Sequence, residues 1–218
     1  MLSQTEENYL KALFHLTTDS SEKSETGTNE LAFTLHVKPA TANDMLKKLK
    51  TKKLINYEKY GKISLTAAGK KSAVQIIRKH RLWETFLYEK LDFSWDEVHE
   101  VAEQLEHINS SKLVEQLDKF LGYPKIDPHG DCIPNAKGEL KSQPRKTLSD
   151  VEIGKACKIV AVKENNAAFL QYVVKVGMGL SSKIRVLNRQ DFDGNMEIEV
   201  NGKKSIVSQK FAENILVI

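Results

Sequence analysis

Two short segments carry the residue types of metal chemistry. Residues 99–107 read "HEVAEQLEH" and residues 79–84 read "KHRLWE". At about 100° per residue, and measured from His99, Glu103 falls near ~40°, Glu106 near ~−20° and His107 near ~80° on a helix. Trp95, Val98, Val101, Ala102, Leu105 and Ile108 fill the arc from roughly 180° to 320°, so the imidazoles and carboxylates share one face apart from the apolar one. His80 and Glu84 are spaced i and i+4, which makes them neighbours on the preceding helix. A mixed carboxylate and imidazole set suits a borderline divalent ion such as Mn(II), Fe(II) or Zn(II), whereas Ca(II) prefers oxygen alone. The plain alternative is a solvated, charged helical face. "HEVAE" lacks the second His of the HExxH hydrolase motif. Gln104 removes the Glu-x-x-His pair of di-metal carboxylate proteins.

The elements that must position these residues come next. The chain has 218 residues, enough for one large domain or two small ones, and its 40% hydrophobic and 28% charged content reads as soluble and globular. The N-terminus shows no signal-peptide pattern and no stretch is long and apolar enough to span a bilayer, so a cytoplasmic location without membrane attachment is expected. Cys132 and Cys157 form no CxxC or paired framework and read as free thiols.

Charge is distributed unevenly. From His36 to Ser72, ten lysines face Asp44 and Glu58, and from Asp96 to Asp118, seven acids face Lys112. The first region suits a polyanion and the second suits cations. Helical spacing over 5–17, a short helix "NELAFTLH" with Thr28 as N-cap, a basic helix over 38–54 with Pro39 in its first turn, and a hairpin around Gly61 give the order of a winged helix-turn-helix. Base-edge candidates at the start of the basic helix are Thr41, Asn43 and Asp44; phosphate candidates are Lys38, Lys47 and Lys48, with Lys59, Tyr60 and Lys62 on the wing. A merely solvated lysine face is the competing reading.

A long helix over 66–91 follows, then one opened by the capping box "SWDE" and running to about Ile108, then one over 110–122 ended by Gly122 and Pro124. Residues 123–147 hold all but one of the five prolines and read as a linker. Beyond it, "ACKIVAV", "FLQYVVKV", "SKIRVLN", "MEIEV" and "KSIVSQ", with an Asn201-Gly202 turn, read as five short strands of a small β-barrel. The expected fold class is mainly α with a small β part. Its domains are a winged helix-turn-helix (1–65), a helical dimerisation and metal-binding domain (66–122), a linker (123–147) and an SH3-like domain (148–218).

The combination of "NYLKALFHL", "YEKYGKISLTAAGKK", "KHRL.E", "E..EH" and "PHGDCIP" resembles the diphtheria toxin repressor and manganese transport regulator (DtxR/MntR) family of metal-activated transcription factors, in its long form with an SH3-like, FeoA-type C-terminal domain. The resemblance covers nearly the whole chain. It implies a primary metal site of Glu103, Glu106 and His107 with a helix 1 ligand at Asn8, and an ancillary site of His80, Glu84 and His99. Gln171 matches a C-terminal ligand of iron-type members, whereas Ala168 stands where their Glu falls. Manganese-type members carry carboxylates at the places of Asn8 and Lys11.

Glu103, where iron-type members carry Cys, tilts the resemblance toward Mn(II), with Fe(II) next and Zn(II) able to substitute in vitro. The implied protein is a homodimeric repressor without a small-molecule substrate. The ion would join the DNA-binding and dimerisation domains, setting the two recognition helices about one turn of DNA apart, ~34 Å, on a palindromic operator of double-stranded DNA. A di-metal carboxylate enzyme or metal buffer, and a DNA-binding protein that needs no metal, are the other readings.

Overall fold

The computed structural model describes residues 2–19, 24–58, 61–140, 145–164 and 166–218. They form two compact units. The first comprises Met1–His80, Leu105–Ser111 and Pro134–Glu139, and the second Arg81–Gln104, Lys112–Ile133 and Leu140–Ile218.

In the first unit, α1 (Gln4–Phe14) opens with a capping box: the Glu6 N–H donates to Ser3 Oγ and the Ser3 N–H to Glu6 Oε2. Glu6 also accepts from Lys52 Nζ at 2.7 Å, which ties α1 to the C-terminal end of α3 (Pro39–Thr51). Between them lies α2 (Thr28–Thr34). Its N-cap is Gly27 rather than the expected Thr28, because Gly27 O already accepts from Leu31 N, while the neighbouring Thr26 hydroxyl turns to Glu30. His36, at φ 52°, makes the turn into α3, and Pro39 occupies the first helical turn, where its missing N–H costs nothing. Leu31 and Ala32 of α2 and Ala42, Leu46 and Leu49 of α3 are buried, which leaves the basic side of α3 to solvent. Strands β1 (Ile55–Tyr57) and β2 (Ile63–Leu65) pair antiparallel as the wing; Lys59 and Tyr60 lie outside the described residues.

The helix α4 (Ala67–Lys90) is continuous, belonging to the first unit as far as His80 and to the second from Arg81. In the second unit, Ser94 and Glu97 do pair, at 2.6 Å, but they close a turn ahead of α5 (Val98–Leu105), which ends short of Ile108. Helix α6 (Ser111–Phe120) stops where Gly122 and Tyr123 take positive φ.

The C-terminal sheet has six antiparallel strands in the order β3-β8-β4-β5-β6-β7, with β3 (Lys146–Thr147), β4 (Ala156–Val162), β5 (Lys183–Arg189), β6 (Met196–Val200), β7 (Lys203–Val207) and β8 (Ile215–Val217). Alternate side chains of β4, β5 and β6, including Ile159, Val186 and Ile198, fill its core. The Asn201-Gly202 turn joins β6 to β7 with both residues at positive φ, as the twist of a two-residue hairpin requires. "FLQYVVKV" is not a strand. It forms most of α7 (Ala167–Lys175), whose Asn166 side chain caps Phe169 N at 2.9 Å, and whose Leu170 and Val173 reach the core at helical spacing. The short helix α8 (Gln209–Glu213) leads into β8.

Gly130 packs the loop after α6 onto the sheet. Its φ is +88°, and a Cβ there would lie 1.8 Å from Val160 O, inside the β4 backbone. Gly179 has open space around it. Gly130→Ala is therefore expected to lower unfolding free energy by more than ~2 kcal/mol, against less than ~1 kcal/mol for Gly179→Ala. Urea denaturation of the two variants checks this, and equal losses would contradict the packing described.

Candidate metal centre

Three side chains of the second unit converge with almost no access to water. Glu84 on α4, Asp127 and His129 are each 2–3% exposed, and one ligand atom from each lies within 4.8 Å of the others. The loop "KIDPHGD" presents the last two. Asp127 Oδ1 accepts from the backbone N–H groups of His129 (2.8 Å) and Asp131 (2.9 Å), an Asx turn that leaves Oδ2 for another partner. Arg81 donates to Cys132 O at 2.6 Å and Arg145 to Gly130 O at 2.7 Å, so two guanidinium groups clamp the loop. Val162 N, on β4, donates to His129 O at 3.2 Å.

The imidazole of His129 stacks on Trp95, and its Nε2 lies 3.0 Å from Trp95 O. A carbonyl only accepts, so the Nε2 hydrogen is fixed there, and Nδ1 faces Glu84 Oε1 at 3.5 Å. Nδ1 is thus the nitrogen that can take a metal. His99 Nδ1 sits 3.1 Å from the same Glu84 oxygen, and its Nε2 is 3.7 Å from Glu103 Oε1. These two side chains are 28% and 37% exposed, so the set runs from a buried base to solvent.

Electrostatics match a cation site. Burial, reinforced by the Glu84 and Asp131 carboxylates, pushes the Asp127 carboxyl up to about 7 against the pull of Arg81 and His129. Burial works to lower the His129 imidazolium, but the hydrogen bond and charge of Glu84, with Asp127, outweigh it and raise it. The upward shifts favour the protonated forms of Asp127 and His129; two carboxylates and an imidazole nitrogen are the donors of a Mn(II), Fe(II) or Zn(II) site, so the residues present fit such an ion.

The first unit holds the other residues expected to bind metal. Glu106 has no solvent exposure, and Lys11 Nζ donates to both its oxygens, at 3.0 and 2.8 Å. His80 Nδ1 lies 2.6 Å from Glu106 Oε2, and His107 Nδ1 lies 2.6 Å from Glu7 Oε2. Burial alone would raise the Glu106 carboxyl; the hydrogen bond from His80 and the Lys11 ammonium hold it below the ordinary carboxylate range. Asn8 Oδ1 is buried with no hydrogen-bond partner among the described residues. In the second unit, Gln171 donates to Asp96 Oδ2 at 2.8 Å and Ala168 is exposed at the start of α7.

Asp127 and His129 are absent from the sequence-based set. They stand in the proline-rich segment read as a linker, where Pro and Gly signal loop and hide function. The signal that could have found them is the tight Asp-Pro-His-Gly-Asp spacing itself, since an Asx turn followed by His and Gly builds a compact ligand loop.

On α3, Lys38, Thr41, Asp44, Lys47 and Lys48 are exposed. Lys47 bonds Asp44 at 2.9 Å, which raises its pKa, and on the wing Lys62 lies 3.3 Å from Glu25. Asn43 is half buried, and its carbonyl oxygen accepts from Tyr57 Oη on β1, so this amide is oriented by the wing.

Known proteins resemble the chain in matching order. Residues 1–63 match the iron dependent repressor N-terminal DNA binding domain, 66–135 the iron dependent repressor metal binding and dimerisation domain, and 146–218 the FeoA domain. An uncharacterised HTH-type transcriptional regulator of Methanocaldococcus jannaschii is 34% identical over 55% of this chain and 94% of its own. A probable metal transport system membrane protein of Chlamydia trachomatis is 44% identical over 33% of this chain. The chain spans 16% of that protein and 17% of a Chlamydia pneumoniae counterpart. Among solved structures, a manganese-dependent transcriptional repressor in complex with manganese is 32% identical, covers 98% of this chain and 99% of its own, and superposes with a TM-score of 0.88. No helix of the described residues is long and apolar enough to cross a membrane. None of these matches describes an enzyme. The chain belongs to the iron-dependent repressor family.

Proposed function

We propose that this chain is a transcriptional repressor whose DNA binding depends on Mn(II) or Fe(II) and which controls metal-ion homeostasis in the cytoplasm. The observation that carries the reading is the buried Glu84, Asp127 and His129 set, with the imidazole tautomer fixed by Trp95 O, in a chain that also folds a winged helix-turn-helix. Glu84, Asp127 and His129 hold the ion, with His99 and Glu103 on its solvent side.

Residues 1–65 bind DNA, 66–122 supply dimerisation and, together with Asp127 and His129 of the connecting segment 123–147, the metal ligands, and 148–218 form the FeoA-type domain. Exposed apolar side chains on or shortly after α4 and α6, namely Tyr88, Leu91, Leu113, Phe120 and Tyr123, provide a surface for a second copy. A twofold dimer reads a palindromic operator, with Thr41 and Asp44 at base edges and Lys38, Lys47, Lys48 and Lys62 at phosphates. Because metal and DNA favour the same conformer, each tightens the binding of the other by an equal factor.

Two tests follow from this site. In gel shifts on duplexes selected from a random pool, Mn(II), or Fe(II) without oxygen, is expected to raise affinity at least about tenfold over chelator, the low end of typical allosteric coupling. Glu84→Gln should lose that gain while keeping the metal-free binding. Retention of metal stimulation by Glu84→Gln would contradict the site.

Ligation requires Asp127 ionised and His129 neutral, and both are shifted upward. Ion affinity is therefore expected to rise with pH up to about 7 and beyond, by up to about tenfold per pH unit for each proton displaced. Competition for Mn(II) against a chelating dye at pH 6 and pH 8 measures this; equal affinities would contradict ligation by these groups.

A further inference from the structure

We propose that Lys11 is a resident cation of the first unit, occupying the position on Glu106 that a metal ion would take, so that ion sensing is left to Glu84, Asp127 and His129. This rests on the metal-dependent reading given above and deepens it by naming which residues receive the signal.

The geometry is that of an occupied cation position. The ammonium donates to both carboxylate oxygens of Glu106, a carboxylate with no solvent exposure, and Lys11 itself is only 13% exposed. An ion entering there would have to displace an ammonium at ~3 Å from both oxygens, with no water to solvate the displaced charge at the carboxylate. The remaining groups are engaged as well, with His80 on Glu106 and His107 on Glu7. As they stand, these residues do not fit a divalent ion.

Lys11 is what excludes it. Asn8 lies one turn earlier on the same face of α1, and its buried carbonyl oxygen has no hydrogen-bond partner among the described residues. With the ammonium removed, the Glu106 carboxylate, the His107 imidazole and that carbonyl would make a hard and borderline donor set. The ammonium therefore performs without metal the charge compensation that an ion would supply: it holds α1 to the segment after α5 whatever the metal supply.

Equilibrium dialysis of the full chain against Mn(II), with bound metal counted per chain, tests this. In the wild-type chain, Glu106→Gln is expected to leave the bound metal unchanged, and Glu84→Gln to remove the ion of the second unit. Lys11→Met should add one Mn(II) per chain, and Lys11→Met with Glu106→Gln should lose it again, whereas Lys11→Arg should add none. Lys11→Met leaves the buried Glu106 carboxylate with His80 but without its ammonium, so its melting temperature should rise on adding Mn(II) by more than that of the wild type, which reads the same event in a weakened fold.

A wild-type ion lost in Glu106→Gln, or no added ion in Lys11→Met, overturns the proposal. The repressor reading is judged separately. If DNA binding ignores the ion bound at Glu84, that reading falls while the ion count still decides the role of Lys11.

Discussion

Two carboxylates and an imidazole packed against one another away from water need positive charge. Glu84, Asp127 and His129 pose that requirement in the second unit, and much of the surrounding structure serves it. Arg81 approaches Asp127 Oδ2 at 3.6 Å and Asp131 at 3.5 Å, which offsets part of the charge, and burial with the neighbouring carboxylates raises the proton affinity of Asp127 while Glu84 raises that of His129. On the proposed reading, such a cluster would bind an ion by exchanging protons for it, which would link the ion to the local fold. Trp95 O, Arg145, Gly130 and the β4 backbone hold the loop that carries Asp127 and His129 in place. The C-terminal sheet is therefore part of the site's foundation, since His129 O is hydrogen-bonded to Val162 of β4.

The first unit solves the same problem differently. Glu106 is buried, but its compensating charge is a lysine of the same chain. Glu6, with Lys52, repeats the device between α1 and α3. Pairs built on a buried carboxylate, such as Glu106 with Lys11, contribute less to net stability than to fixing which arrangement is adopted. Here Lys11 holds α1 to the segment after α5, and Lys52 holds it to the end of α3. Part of the basic face of α3 is paired within the chain, through Lys47 with Asp44 at 2.9 Å.

Sequence and structure agree where period and punctuation coincide. The spacing of Tyr9, Leu10, Leu13 and Phe14 marks α1, Pro39 marks the start of α3, and Asn201-Gly202 marks a hairpin, because each depends on a few neighbouring residues. The two part where composition and period conflict. Phe169, Tyr172, Val173 and Val174 are strand formers, yet the cap at Asn166 and the inward Leu170 and Val173 make the segment helical. Strands β3 and β8, of two and three residues, are too short to carry a period.

In the site, the helical residues Glu84 and His99 were legible from i, i+4 spacing and resemblance. Asp127 and His129 were not, because a loop has no period and its shape is set by distant partners, Arg81, Arg145 and Val160. The contact of Lys11 with Glu106 joins residues 95 positions apart and is invisible to any local pattern.

The most direct test of the account is the location of the ion. Crystals grown with Mn(II) and measured at the manganese absorption edge give its position from anomalous scattering alone. The account predicts a peak bounded by Glu84, Asp127 and His129 Nδ1, and none at Glu106. A peak between Glu106 and His107, with Lys11 turned away, and none at His129, would contradict it.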